Sequence, residues 1–399
     1  MPKHAFIDCM TKISRRSLFC ALIAALLFSL PLAAAQNAGA KTKFLVYVGT
    51  YTDKNSKGIY AFNFDAAKGE LTSLGLAAES KNPSFLVTSA DRHFLYAVDE
   101  VPDFGGPNSG AIRAFSIDRQ TGKLTFLNEV ASRGADPCYL TLDRRGKYLF
   151  TANYTGGSLA AFPLMADGRV GESSALVQPH GKGHDPERQE GPHAHSINLS
   201  PDNRFAIATD LGLDEVNVYR FLPGKRALLP KALRSVKLDA GAGPRHFTFH
   251  PNGRFAYVVN EMQSAVVAFS YDRADGTLNR LQRISMLPED FKGHNDAAEV
   301  QVHPSGKFLY ASNRGHDSIA VFSINPRKGT LTLVEITSTH GKEPRNFGID
   351  PTGSYLLAAN QHSDNIVVFK IDANTGRLTP TGQVVEAPTP VYVRFVALD

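Results

Sequence analysis

Side chains suited to proton transfer or anion binding recur at matched places along the chain: His193, His195, Arg245, His246, Glu261, Glu299, Arg314 and Arg345, with Asp210 beside them. Planar guanidinium forks suit carboxylate or phosphate groups and can stabilise a developing oxyanion. Histidine and glutamate can take and return a proton. One set falls just before an apolar, strand-like run, and the other just after the next such run, about 16 residues later. A hairpin brings those two positions to the same rim, so the whole set is expected to converge on one mouth.

What positions them is a repeat: a turn, then an apolar strand ending in a polar residue, as in DRRGKYLFTAN over residues 143–153. The polar ends are Thr50, Asp99, Asn153, Asp210, Asn260, Asn313 and Asn360, spaced 49, 54, 57, 50, 53 and 47 residues apart. Spacing near 50 with four strands per unit is β-propeller blade spacing. In the unit around Asn260 the first strand is expected at 247–249, the second at 255–259, the third at 265–271 and the fourth from Leu278. Third strands are likewise expected at 59–64, 112–117, 216–221, 319–324 and 366–371. Nearly unbroken apolar runs suit strands covered on both faces.

The first unit begins at Phe44 without an innermost strand, and the chain ends with a surplus one at 391–395. The sequence therefore predicts an all-β, seven-bladed propeller of four-stranded blades, closed by the C-terminal strand joining the N-terminal blade. The chain has no Trp, which argues against a WD40 propeller.

Ahead of the repeat, Ser14, Arg15, Arg16 and Ser17 precede an apolar run at 18–32 and then Ala33, Ala34 and Ala35. That is the pattern of an export signal, of general secretory or twin-arginine type, with cleavage expected after Ala35. The expected organisation is a signal peptide at 1–35, a short linker at 36–43 and the propeller at 44–399, in the periplasm or secreted. The leader holds Lys3, Lys12, Arg15 and Arg16 against Asp8, which leaves about +2 of the net charge of +5 for the rest. Nothing basic enough to track a nucleic-acid backbone remains, and no membrane contact is expected after cleavage. Cys9 and Cys20 lie in the leader, so Cys138 has no disulfide partner in the mature chain.

Structural roles compete for several of these residues. Asn or Asp after a strand commonly caps a turn, which suits Asn153, Asp210, Asn260, Asn313 and Asn360. His250, His303, Asp143, Ser200 and Asp350 open hairpin turns on the opposite rim and read as structural. Arg245, Glu261 and Arg314 break the repeat's own rule, since Glu261 corresponds to Tyr154, Leu211 and Gln361. Such exceptions point to function.

Residues 192–196 (PHAHS), 243–247 (GPRHF), Asn260 with Glu261, residues 303–318 (HPSGKFLYASNRGHDS) and residues 344–346 (PRN) together resemble the seven-bladed lactonase family of 6-phosphogluconolactonase and 3-carboxymuconate lactonizing enzyme type. The resemblance runs from about Phe44 to Phe395. It implies a catalytic set of His195, Arg245, Glu261 and Arg314, with His193, Asp210, His246, Glu299 and Arg345 around the substrate. It implies hydrolysis of a sugar lactone to the aldonic acid by a monomer that uses no cofactor and no metal. A guanidinium polarises the lactone carbonyl, and Glu261 or His195 takes a proton from the attacking water. Because phosphorylated sugars are scarce outside the cytoplasm, the export signal favours an unphosphorylated lactone. Three other outcomes stay open: a cycloisomerase, a Ca²⁺ site built from Glu299, Asn153, Asn260 and Asn313, and a binding platform without chemistry. Residues 178–189 are expected as a long loop over the channel.

Overall fold

The computed structural model describes residues 42–224 and 227–398, and the expected leader lies outside the described residues. Among the described residues the strands form seven four-stranded antiparallel sheets. Blade 5 shows the plan, with strands Pro244–Phe249, Phe255–Asn260, Ala265–Tyr271 and Leu278–Ser285 from the axis outward. Innermost strands of consecutive blades touch all the way round, and blade 7 touches the strand that completes blade 1. The two middle strands of a blade are buried almost end to end, because neighbouring blades cover both their faces. In blade 5 these strands are mostly Val, Phe and Tyr with Ala between them, and the β-branched and aromatic types suit a pleated surface packed on both faces.

The hairpin turn between first and second strands needs one residue with positive φ. Gly146, Gly253, Gly306 and Gly353 supply it in blades 3, 5, 6 and 7, at φ of 62°, 62°, 73° and 75°. Asn203 does so in blade 4, at φ of 62°. These turns also tie blades together. His250 Nε2 meets the carbonyl of Gly306, and His303 Nε2 that of Gly353, each at 2.8 Å. Asn203 Nδ2 donates to Asp143 Oδ2 at 3.1 Å. The opposite-rim histidines thus have structural work, as their place in the turn suggests.

Ring closure follows the surplus-strand expectation. Pro390–Ala397 pairs antiparallel with Lys43–Thr50, from Phe44 against Ala397 to Thr50 against Pro390. Phe395 packs edge-on against Phe44 at 6.0 Å and Phe64 at 5.6 Å between ring centres. Tyr392 lies 4.1 Å from Phe85 of blade 2. The last strand therefore joins blade 1 to itself and to the next blade.

Most expected strand limits agree to within a residue, and two of the differences have a visible cause. The third strand of blade 4 is Glu215–Arg220 rather than 216–221, because Phe221 pairs with Leu228 in a local bridge. The inner strand of blade 5 starts at Pro244, not Phe247, so Arg245 and His246 lie on the strand itself.

Candidate active site

In six of the seven blades the inner strand carries an irregularity at or near its first residues, and that irregularity aims the functional side chains. In blade 4, Ala194 pairs with Asp210 and Ser196 with Thr209, leaving His195 as the extra residue. The same shift leaves Arg245 extra in blade 5, Arg345 in blade 7, Cys138 in blade 3 and Val391 in blade 1. Blade 6 holds Ala298 and Glu299 between Ala297, which pairs with Asn313, and Val300, which pairs with Ala311. A bulge releases its residue from strict alternation and re-aims the side chain. Here the released side chains face the axis.

A cavity of about 260 Å³ opens at this mouth, lined by Glu100, Cys138, Tyr154, Arg188, His195, Glu261, Asp296, Arg314 and Arg345. A larger cleft of about 430 Å³ lies elsewhere, between Arg133, Glu172–Leu176 and Leu228, and gathers no buried titratable cluster.

Glu261 is the centre of the charged network. Its Oε2 lies 2.9 Å from Arg245 Nε, 2.9 Å from Arg314 Nη2 and 3.9 Å from His195 Nε2. Its Oε1 accepts from Arg188 Nη2 at 2.5 Å. Burial alone would raise the carboxyl, but the guanidinium groups of Arg314, Arg245 and Arg188 outweigh it and hold Glu261 far below the usual carboxylate range. Burial, followed by the neighbouring Arg345 and Arg314, lowers Arg245 to about 10, which still leaves it charged at neutral pH. His195 is held well below its ordinary value by burial and then by Arg245, so its imidazole is neutral. Its Nδ1 sits 3.6 Å from Cys138 Sγ.

Beneath Glu261 the network continues inward. Arg245 Nη1 lies 3.0 Å from His246 Nε2 and donates to the Ala298 carbonyl at 2.9 Å. His246 Nδ1 is 3.3 Å from Glu299 Oε2, which also accepts from Asn346 Nδ2. Arg345 stacks over Tyr51 at 5.3 Å, and Tyr51 donates to Glu100 at 3.0 Å.

The structure thus brings His195, Glu261, Arg314 and Arg345 to the cavity wall and puts Arg245 directly under Glu261. His246 lines a smaller hollow of about 10 Å³ below it. Glu299 touches neither space, lying behind His246. Asp210 takes the backbone amides of His193 at 2.8 Å and Leu213 at 3.1 Å, and its place is off the cavity. His193 stacks on Tyr154 at 4.6 Å and meets the Tyr154 carbonyl at 3.0 Å, also off the cavity. Asn153 Nδ2 donates to the Ser132 carbonyl and Ser158 Oγ, and Asn313 Nδ2 to the Met286 carbonyl and Ser318 Oγ, which ties both side chains to the ends of their strands.

Glu100, Tyr154, Arg188 and Asp296 were not singled out by sequence. Glu100 and Tyr154 had a signal: they follow Asp99 and Asn153 as Glu261 follows Asn260. Arg188 lies outside the repeat; its only signal was its place in the 178–189 segment expected over the channel, where no single residue stood out.

Burial raises Glu299 to about 7. A carboxyl whose folded pKa is raised contributes stability fully below about 4.5 and loses it as pH rises through about 7. Buried His195 and His246 act in the opposite sense below their ordinary value, so the useful readout is a difference. The stability of wild type relative to Glu299→Gln is expected to fall between pH 5 and pH 8, by at most about 3 kcal/mol. Thermal melts of both proteins across that range check it, and a constant difference would remove Glu299 from the account.

An all-β ring of seven blades whose bulged inner strands aim arginine, histidine and glutamate at one mouth has a family counterpart. The chain belongs to the seven-bladed β-propeller lactonase family, whose model matches residues 45–395. It is 38% identical to the 6-phosphogluconolactonase of Bacillus subtilis over 354 residues, covering 89% of this chain and 99% of that one. A putative 6-phosphogluconolactonase of Bacteroides fragilis superposes with a TM-score of 0.83 at 38% identity, covering 90% of this chain and 99% of that one. The periplasmic gluconolactonase of Pseudomonas aeruginosa does so with a TM-score of 0.83 at 35% identity, covering 90% and 100%.

Proposed function

We propose that the chain hydrolyses a sugar lactone to the aldonic acid, as a 6-phosphogluconolactonase-like carboxylic ester hydrolase acting in the periplasm as a monomer once the leader at 1–35 is removed. The observation that carries this reading is Glu261, a buried carboxylate ringed by guanidinium groups on the wall of the axial cavity. Water attacks the lactone carbonyl carbon while Glu261 accepts its proton. Arg314 and Arg345 hold the carbonyl oxygen as negative charge develops there. The ring C–O bond then breaks, and the proton passes to the departing alkoxide. Arg245 fixes Glu261 from below, and neutral His195 stands against the same carboxylate as a second group able to carry the proton.

The periplasmic setting is supported by the export pattern of residues 14–35 and by the likeness to a periplasmic gluconolactonase. Hydrolysis needs no metal in this scheme, because guanidinium groups supply the positive charge. The test is turnover of gluconolactone and 6-phosphogluconolactone with and without EDTA, with the product identified by NMR. Ring-opened acid at an unchanged rate is expected in both conditions. Loss of activity on chelation, restored by Ca²⁺, would replace this mechanism with a metal-dependent one.

A further inference from the structure

Arg188 differs from the other cavity arginines in where it comes from. Arg245 and Arg345 sit on bulges and Arg314 ends a strand, whereas Arg188 hangs from the long segment between Ala175–Val177 of blade 3 and Ala194–Leu199 of blade 4. Its backbone is pinned. Asp185 Oδ1 accepts the amides of Glu187 and Arg188, both at 2.9 Å. Fully buried Gln189 donates to the Leu211 carbonyl and to Asp214 Oδ1, both at 2.7 Å, and accepts from the amides of His184 and Asp185. The side chain is another matter: it is 36% exposed, against 8% for Arg314 and 3% for Arg245. A fixed backbone with an accessible, long side chain lets the guanidinium swing without rebuilding the loop.

Arg188 also has a particular partner. It covers Oε1 of Glu261, while Arg245 and Arg314 share Oε2. Its Nη1 lies 3.7 Å from Asp296. Oε1 is therefore the carboxylate oxygen whose cover can move.

We propose that Arg188 is the anion receptor of the site: a phosphate or carboxylate at the far end of a sugar lactone draws its guanidinium off Glu261, and the base is uncovered when an anionic substrate is bound. The inference rests on the role of Glu261 as base. Exchanging one carboxylate partner for another anion costs Arg188 little, since the planar fork suits either. Glu261 keeps Arg245 and Arg314, so no carboxylate is left buried without a cation. Losing one of its positive neighbours raises its proton affinity toward a value useful for catalysis. A neutral lactone offers Arg188 no such exchange, and a ligand shifts an equilibrium only by its differential affinity for the two states.

The experiment compares the full chain with Arg188→Met and Arg188→Lys on three substrates: neutral gluconolactone, a glucarolactone bearing a carboxylate, and 6-phosphogluconolactone. Wild type is expected to favour at least one anionic lactone, and which one tells whether carboxylate or phosphate is the group read. In Arg188→Met, KM for that lactone is expected to rise by about tenfold or more, while turnover of neutral gluconolactone increases because the base stands uncovered. Arg188→Lys is expected to recover part of the preference. A parallel loss on all three substrates, or none on any, overturns the proposal. Calorimetric titration with inorganic phosphate gives a readout apart from catalysis, with affinity expected to fall about tenfold from wild type to Arg188→Met. Equal phosphate affinity overturns the proposal as well, and if Arg188→Met does not fold, Arg188→Lys carries the comparison. Should Glu261→Gln leave turnover untouched while phosphate binding still depends on Arg188, it is the assignment of the base that fails and not the anion receptor.

Discussion

Replacing Glu261 by glutamine is expected to lower kcat on a sugar lactone about a hundredfold or more, the range for a lost general base. KM should change little, because the arginines that hold the substrate remain. The amide keeps the shape of the side chain but neither takes a proton nor balances charge. Arg245 and Arg314 then face each other's positive charge while buried, without the carboxylate between them. Breaking one partner out of a buried ion cluster costs about 3–5 kcal/mol, so the melting temperature should also drop. The two effects separate cleanly when rates are taken well below the melt. A kcat within about threefold of wild type would remove Glu261 as the base, since a general base contributes far more than that.

The second large effect concerns closure. Truncation after Thr389 removes Pro390–Ala397, the innermost strand of blade 1. Lys43–Thr50 is buried almost throughout, and its ladder partners along one whole edge would vanish. Phe44 and Phe64 lose the ring of Phe395, and Phe85 loses Tyr392. Asn346 loses the amide of Val393, at 3.0 Å, that fixes its carbonyl. Buried backbone groups left without partners are costly, and an open edge invites association with other chains. The truncated protein is expected to lose its cooperative thermal transition and to aggregate. Circular dichroism and light scattering check this, and a sharp melt within a few degrees of wild type would show that the ring does not depend on this strand.

Repeats made the fold legible. Seven polar-ended strands at near-constant spacing fix blade number, and a missing strand at one end with a surplus one at the other fixes how the ring closes. Strand limits in the outer three positions were readable to within a residue, because alternation of apolar runs and turns is local. The start of the inner strand was not readable. A bulge leaves no mark in an apolar pattern, and residues such as Pro244 and Arg245 look like a loop until Asn260 is placed opposite them. Site residues on the repeat were legible as exceptions to it, which is how Arg245, Glu261 and Arg314 stood out. Asp210 and Glu299 shared that rim in sequence yet lie off the cavity, because two positions in register can point along the wall or behind it. Arg188 belongs to no repeat, and its approach to Glu261 depends on Gln189 finding Asp214, a tertiary event.

The bulge has a further meaning when the same position is followed around the ring. Val391, Cys138, His195, Arg245 and Arg345 occupy equivalent sockets, each released from the ladder by one surplus residue. Because the neighbours on either side keep the register, a socket can be refitted with a different side chain without disturbing the sheet that carries it. A thiol, an imidazole, a guanidinium and an isopropyl group already share this one address. The architecture thereby divides labour within each bulged blade: most of the strand is committed to holding the ring shut, and a single residue is left at liberty to vary what the ring can act upon.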